Sequence, residues 1–225
     1  MRISLIGMSG SGKSYWSSKL AEQGFERFCC DELIADRLSV KLRRPDGKSL
    51  TLGEWMGLPF EPHYKEREAE YLATEIRVLT DVIHELARRP RVDGERIVVD
   101  TTGSAIYTGE EVLEALWSLT TVVHFPVPPA VQHEMLAAYV AKPRPILWRD
   151  LFAVAPGETN DAALARCYAR LLVEREARYE RHADVRVEYQ LQKSAGFGVD
   201  DLLDLVRSWE ASELRQPTPA PRVRN

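Results

Sequence analysis

The chemistry this sequence announces lies in Gly7-Met8-Ser9-Gly10-Ser11-Gly12-Lys13-Ser14, directly after the apolar run at residues 2–6. The spacing is G-x-x-x-x-G-K-S, placed between an expected strand and an expected helix. Gly7, Gly10 and Gly12 allow positive φ and bring bare backbone close to a ligand. With Ser9 and Ser11 between them they form a loop whose N–H groups converge on an anion, at a helix N-terminus whose dipole favours negative charge. Lys13 is placed to reach the outer phosphates of a nucleoside triphosphate and the Ser14 hydroxyl to ligate magnesium, so ATP and Mg2+ are the expected cofactors.

Three other groups could complete a reaction centre. Asp31 stands where an expected strand (25–30) gives way to a helix, so it either caps that helix or meets a substrate beyond the strand end. Asp100 closes the run Arg96-Ile-Val-Val-Asp100, an apolar strand ending in an acid, which places a carboxylate beside the magnesium of a bound nucleotide. Arg175 occupies a position where helical periodicity calls for a hydrophobe, after Leu164, Tyr168 and Leu171. It either pairs in a salt bridge or faces a ligand. Lys65 lies seven residues before Leu72, hence on the same side as the stripe Leu72, Ile76, Leu79, Ile83 and Leu86. There it snorkels to solvent or lines a cleft.

The elements that would carry these residues alternate along the chain. Strands are expected at 2–6, 25–30, 96–100, 120–125 and 185–189. Helices are expected at 13–21, 32–40, 62–89, 110–119, 130–140, 161–182 and 199–214. Residues 41–60 form an irregular insertion around Pro45-Asp46-Gly47, as a hairpin or a short helix. Residues 141–160 open with Lys142-Pro143-Arg144-Pro145, a basic, proline-stiffened segment that is either a lid over phosphate or a surface connection. The arrangement reads as a single domain over 1–214, and the proline-rich tail at 215–225 is expected to be disordered.

Bulk properties narrow the function. The 225 residues carry a net charge of −4, 44% hydrophobic and 28% charged residues, which suits an α/β domain and disfavours nucleic-acid or anionic-membrane partners. No apolar run reaches the roughly 20 residues of a membrane span. Three cysteines without C-x-x-C spacing and five scattered histidines point to reduced thiols, a cytoplasmic location and no zinc site.

With these residues laid out, residues 1–210 resemble the shikimate kinase family of P-loop kinases. The phosphate loop is 7–14, and Cys29-Cys30-Asp31 stands where the family has an acidic pair. Tyr64-Lys65-Glu66-Arg67-Glu68 is similar to its Phe-Arg-x-x-Glu, Thr101-Thr102-Gly103 to its Gly-Gly-Gly, and Arg144-Pro145-Ile146-Leu147 to its lid. Glu174, Arg175, Tyr179, Ala183 and Asp184 keep the spacing of its last long helix. The resemblance implies a five-stranded parallel sheet, order 2-3-1-4-5, with helices on both faces and a lid. It implies that Asp31 holds and deprotonates the accepting hydroxyl and that Lys65 and Arg175 clamp a carboxylate. Thr101, Thr102 and Gly103 would meet the substrate, and Arg144 would close on the phosphates. It further implies transfer of a γ-phosphate to a small anionic metabolite, shikimate first, by a monomer or weak dimer. The readings left beside it are a nucleoside or nucleotide kinase, with Trp55 and Phe60 stacking on a base, and a nucleotide-binding protein without catalysis.

Overall fold

The computed structural model describes residues 1–213; the tail expected to be disordered lies outside them. In chain order come β1 (Arg2–Ile6), α1 (Lys13–Glu22), β2 (Glu26–Cys29), α2 (Cys30–Arg37), α3 (Leu52–Met56) and α4 (Tyr64–Arg88). These are followed by β3 (Ile97–Asp100), α5 (Glu110–Leu119), β4 (Thr121–His124), α6 (Gln132–Ala141) and α7 (Asn160–His182). The chain closes with β5 (Val185–Arg186), α8 (Tyr189–Lys193) and α9 (Val199–Glu213).

The strands form one parallel sheet in the order β2-β3-β1-β4-β5. β1 is buried along its whole length, as a central parallel strand covered on both faces must be. Alternation sorts its side chains. Ile3 and Leu5 join Val98, Val123, Trp16 and Leu202 on one face, under α1 and α9. Ile6 joins Val99, Val122, Leu79, Leu113 and Leu171 on the other, under α4, α5 and α7. Each such side chain fully removed from water contributes roughly 2 kcal/mol.

Register decides what meets at the carboxyl edge. Leu5 pairs with Asp100 and Cys29 pairs with Asp100, so the ends of β1, β2 and β3 align. The segments leaving them, 7–12, 30–31 and 101–104, therefore share one crevice, where open α/β sheets bind their ligands.

Three stretches resolve further than the sequence allows or differ from it. Residues 41–60 contain both alternatives, an isolated antiparallel bridge between Arg43 and Ser49 and the short helix α3. Thr51 caps α3 in a reciprocal box with Glu54. α2 begins at Cys30, so Cys29 takes the N-cap position and Asp31 sits in the first turn, which removes the capping role for its side chain. The fifth strand stops after Arg186, and residues 189–193, partly expected in that strand, form α8.

Candidate active site

The loop between β1 and α1 has the left-handed geometry its glycines permit, with φ of 139° at Gly7, 90° at Gly10 and 104° at Gly12. A Cβ at Gly7 would lie 2.7 Å from the Phe125 carbonyl oxygen, so any other residue would push β4 away. Gly12 is the N-cap of α1, and no side chain satisfies the first N–H groups of that helix. They point into the crevice, ready for an anion.

Lys13 is buried at the base of the loop, and its ammonium donates to the carbonyls of Gly7 at 2.7 Å and Met8 at 3.2 Å. Burial lowers its pKa, with Asp100 and Asp31 opposing and Arg175 and Arg144 adding to the fall. A cation held this way has partners it can exchange for phosphate oxygens. Ser9, Gly10, Gly12, Lys13, Ser14, Asp31, Gly103 and Arg144 line one cavity of 470 Å³. The Ser14 side chain is exposed to it.

Asp31 is open to the cleft yet surrounded by protein on its other sides. That burial raises its pKa, Lys13 pulls it back down and Asp100 pushes it up. The Tyr71 hydroxyl, from α4, donates to Asp31 Oδ1 at 3.2 Å and fixes the carboxylate. Asp100, at the end of β3, is buried behind Lys13. Its Oδ2 accepts from Ser17 at 2.8 Å and from Arg27 at 2.9 Å. Arg27, one strand away, also pairs with Glu32 at 3.0 Å. Asp100 is thus a fixed charge behind the cavity and does not line it.

The three residues expected to meet a substrate after β3 divide. Gly103 lines the cavity, and a Cβ there would lie 2.8 Å from the Ser9 nitrogen. Thr101 turns its hydroxyl to the Leu5 carbonyl at 2.6 Å. Thr102 gives its hydroxyl to the Glu75 carboxylate, which also accepts from Ser104 at 2.8 Å. Both threonines are buried away from the cleft. Glu75, on α4, is fully buried. Its pKa is pushed up to about 7 by desolvation, against the downward pull of Thr102 and Ser104.

Lys65 does not join the cleft: it is exposed and absent from the cavity wall. The inner stripe at the start of α4 is Tyr64, Glu68, Tyr71 and Glu75, one residue out of step with the stripe containing Lys65 and Leu72. Arg175 is buried behind Gly103. It donates to the carbonyl of Gly103 at 2.9 Å and to that of Leu147 at 2.6 Å, and stacks over Tyr107 at 5.1 Å. Its Nε has no partner, and among the described residues no carboxylate forms a salt bridge with it. Arg144 is exposed, with its guanidinium against Gly10 at the cavity mouth.

Tyr64 and Glu68, which the sequence places in the motif at 64–68 without a role of their own, hold the 142–149 loop. The Tyr64 hydroxyl lies 2.7 Å from both the Ile146 carbonyl and the Glu68 carboxylate, and it accepts the Trp148 N–H at 2.9 Å. Glu68 accepts the Arg149 N–H at 2.8 Å, where φ is 53°. Their signal was present as an aromatic–acid pair four apart at a helix start. Trp55 is buried under the Arg67 guanidinium, 5.7 Å from its ring centre, and Phe60 packs toward Phe152 at 6.3 Å.

No family model matches the chain, and no curated protein matches it by sequence. Solved structures do match. The shikimate kinase of Acinetobacter baumannii, in complex with shikimate, is 21% identical over 96% of this chain and 95% of its own, with a TM-score of 0.58. That of Aquifex aeolicus is 20% identical over 96% and 100%, at 0.54. That of Bacteroides thetaiotaomicron is 18% identical over 95% and 98%, at 0.55. The chain therefore has the fold of the P-loop kinases. Within that class, its strand order and surrounding helices are those of the shikimate kinase form. Among the described residues no helix is long and apolar enough to cross a membrane.

Proposed function

We propose that this protein is an ATP-dependent kinase that transfers the γ-phosphate to a hydroxyl of a small anionic metabolite. Shikimate is the first acceptor to test, and other carboxylated polyols, gluconate among them, are next. The observation that carries the reading is the common cavity. An anion-ready loop, a buried lysine, an open carboxylate and an exposed arginine all face the same 470 Å³.

The chemistry of the site fits magnesium: the Ser14 hydroxyl lines the cavity and would hold the ion, and Asp100 adds negative charge behind it. The chemistry such an ion would supply is positive charge against the charge that develops in phosphoryl transfer. The chain's own residues do the rest. The N–H groups of 9–14 and Lys13 would hold the outer phosphates, Lys13 exchanging the Gly7 and Met8 carbonyls for phosphate oxygens. Asp31 would orient the accepting hydroxyl and take its proton late in the transfer, while Arg144 brings positive charge to the cavity mouth. Arg175, without a carboxylate contact among the described residues, lends positive potential to the wall at Gly103 and favours an acidic acceptor. The free thiols Cys29, Cys30 and Cys167 suit a reducing cytoplasm.

Against a nucleoside acceptor stands the burial of Trp55, which leaves it no open face for a base. A coupled ADP-release screen with shikimate, gluconate, related hydroxy acids and nucleosides tests the proposal. Acceleration by a carboxylated polyol is expected. Acceleration by nucleosides alone would reassign the acceptor, and undiminished ATP binding with no acceptor effect would leave a nucleotide-binding protein without catalysis.

A further inference from the structure

Gly53 lies inside α3 and is not among the positive-φ glycines. Its backbone is helical and needs no glycine, and alanine is the better helix former there, so conformational freedom does not explain it. Close approach does. A Cβ on Gly53 would overlap the Pro143 carbonyl outright and lie 2.7 Å from Arg144 Cα. These are backbone atoms, and no rotamer change relieves them.

We infer that Gly53 is a positioning residue: its bare backbone is the seat on which the 142–145 segment rests, and it sets how far Arg144 reaches over the phosphate loop. The first half, the seat, stands on packing alone; the consequence for nucleotide binding rests on the kinase reading above.

Neither partner is free to give way elsewhere. α3 is anchored by Leu52, Trp55 and Met56 in the core, by the Thr51–Glu54 box, and by Arg67, which donates to the Trp55 carbonyl. The loop is pinned at its far end, where Tyr64 and Glu68 hold 146–149 and Arg175 holds the Leu147 carbonyl. The stretch between the anchors is the one carrying Arg144, whose guanidinium rests 3.3 Å from where a Gly10 Cβ would stand. Restoring ordinary carbon contact distances around a methyl at Gly53 moves that stretch by about 1 Å. The insertion at 41–60 thereby gains a role, as the support under the 142–145 segment.

The test compares Gly53→Ala with Gly196→Ala, a glycine with open space around it and no positive φ. Amide hydrogen exchange over 142–149 is read without ligand, and ADP affinity is read by calorimetry. Gly53→Ala is expected to keep a cooperative melt, to speed exchange in the loop about tenfold and to weaken ADP about tenfold, with Gly196→Ala unchanged on each. Wild-type exchange rates in a folded Gly53→Ala protein would overturn the inference. Should that variant fail to fold, the wild type still decides. On adding ADP, α3 and the loop must gain protection together, and protection of the loop with α3 unchanged would overturn it. Because loop exchange is read without nucleotide, a protein that bound none would sink the kinase reading and leave the seat tested on its own.

Discussion

Glu75 offers a quantitative check on the floor of the cleft. It is fully buried, bonded by Thr102 and Ser104, and its pKa is about 7 against an ordinary 4.5. The folded protein therefore binds this proton more tightly than the unfolded chain does. Between about pH 4.5 and 7 the native state keeps the proton and the unfolded state has lost it, so stability falls as pH rises through that window. The shift corresponds to about 3 kcal/mol, absent below the window and present in full above it. Glu75→Gln removes the titration and keeps both hydroxyl contacts, since Thr102 and Ser104 can donate or accept. Urea unfolding of both proteins across this pH range is the assay. At about pH 4.5 the two should agree within about 1 kcal/mol; at about pH 8 the variant should be about 3 kcal/mol more stable. Asp31, also raised, titrates in both proteins and largely cancels in the difference. A difference that stays constant with pH would refute the reasoning, because Glu75 would then carry the same charge in both states.

Other perturbations separate the parts of the cleft. Lys13→Ala should lower turnover by roughly a thousandfold or more, because it removes the cation aimed at the transferred phosphate; near-normal turnover would remove Lys13 from the site. Tyr71→Phe takes a hydrogen bond from the ionised Asp31, which raises the Asp31 pKa further, so the acid limb of the kcat/KM profile should move to higher pH. An unmoved limb would detach Asp31 from the proton step. Tyr64→Phe should loosen the 142–149 loop, seen as faster amide exchange at Trp148, with little change elsewhere.

The parts of this molecule that follow local rules could be read before any coordinates. Glycine spacing specified the phosphate loop, and apolar strands closing on acids put Asp31 and Asp100 at the carboxyl edge. Parallel order then brought 7–12 and 30–31 together. What could not be read is decided by tertiary pairing. On α4 the apolar positions 72, 76 and 83 suggested the inner face, yet near the cleft that face is Tyr71 and Glu75, polar groups paired across to Asp31, Thr102 and Ser104. The same one-residue offset turned Lys65 outward. Thr101 and Thr102 stand where the resemblance implies substrate contacts, but their hydroxyls found acceptors inside the fold first. The stop of the last strand after Arg186 carried no sequence mark, whereas the Thr51-x-x-Glu54 box that starts α3 did.

The most direct test of phosphoryl transfer in this cleft pairs two readings on Asp31→Asn: ATP affinity by calorimetry, and phosphorylated acceptor by mass spectrometry after incubation with Mg-ATP and a carboxylated polyol. The account predicts that the wild type forms the phosphate ester and that the variant binds ATP as before but makes roughly a hundredfold less product or lower. Equal product from both proteins would contradict it, as would a wild type that binds ATP and phosphorylates nothing in the panel.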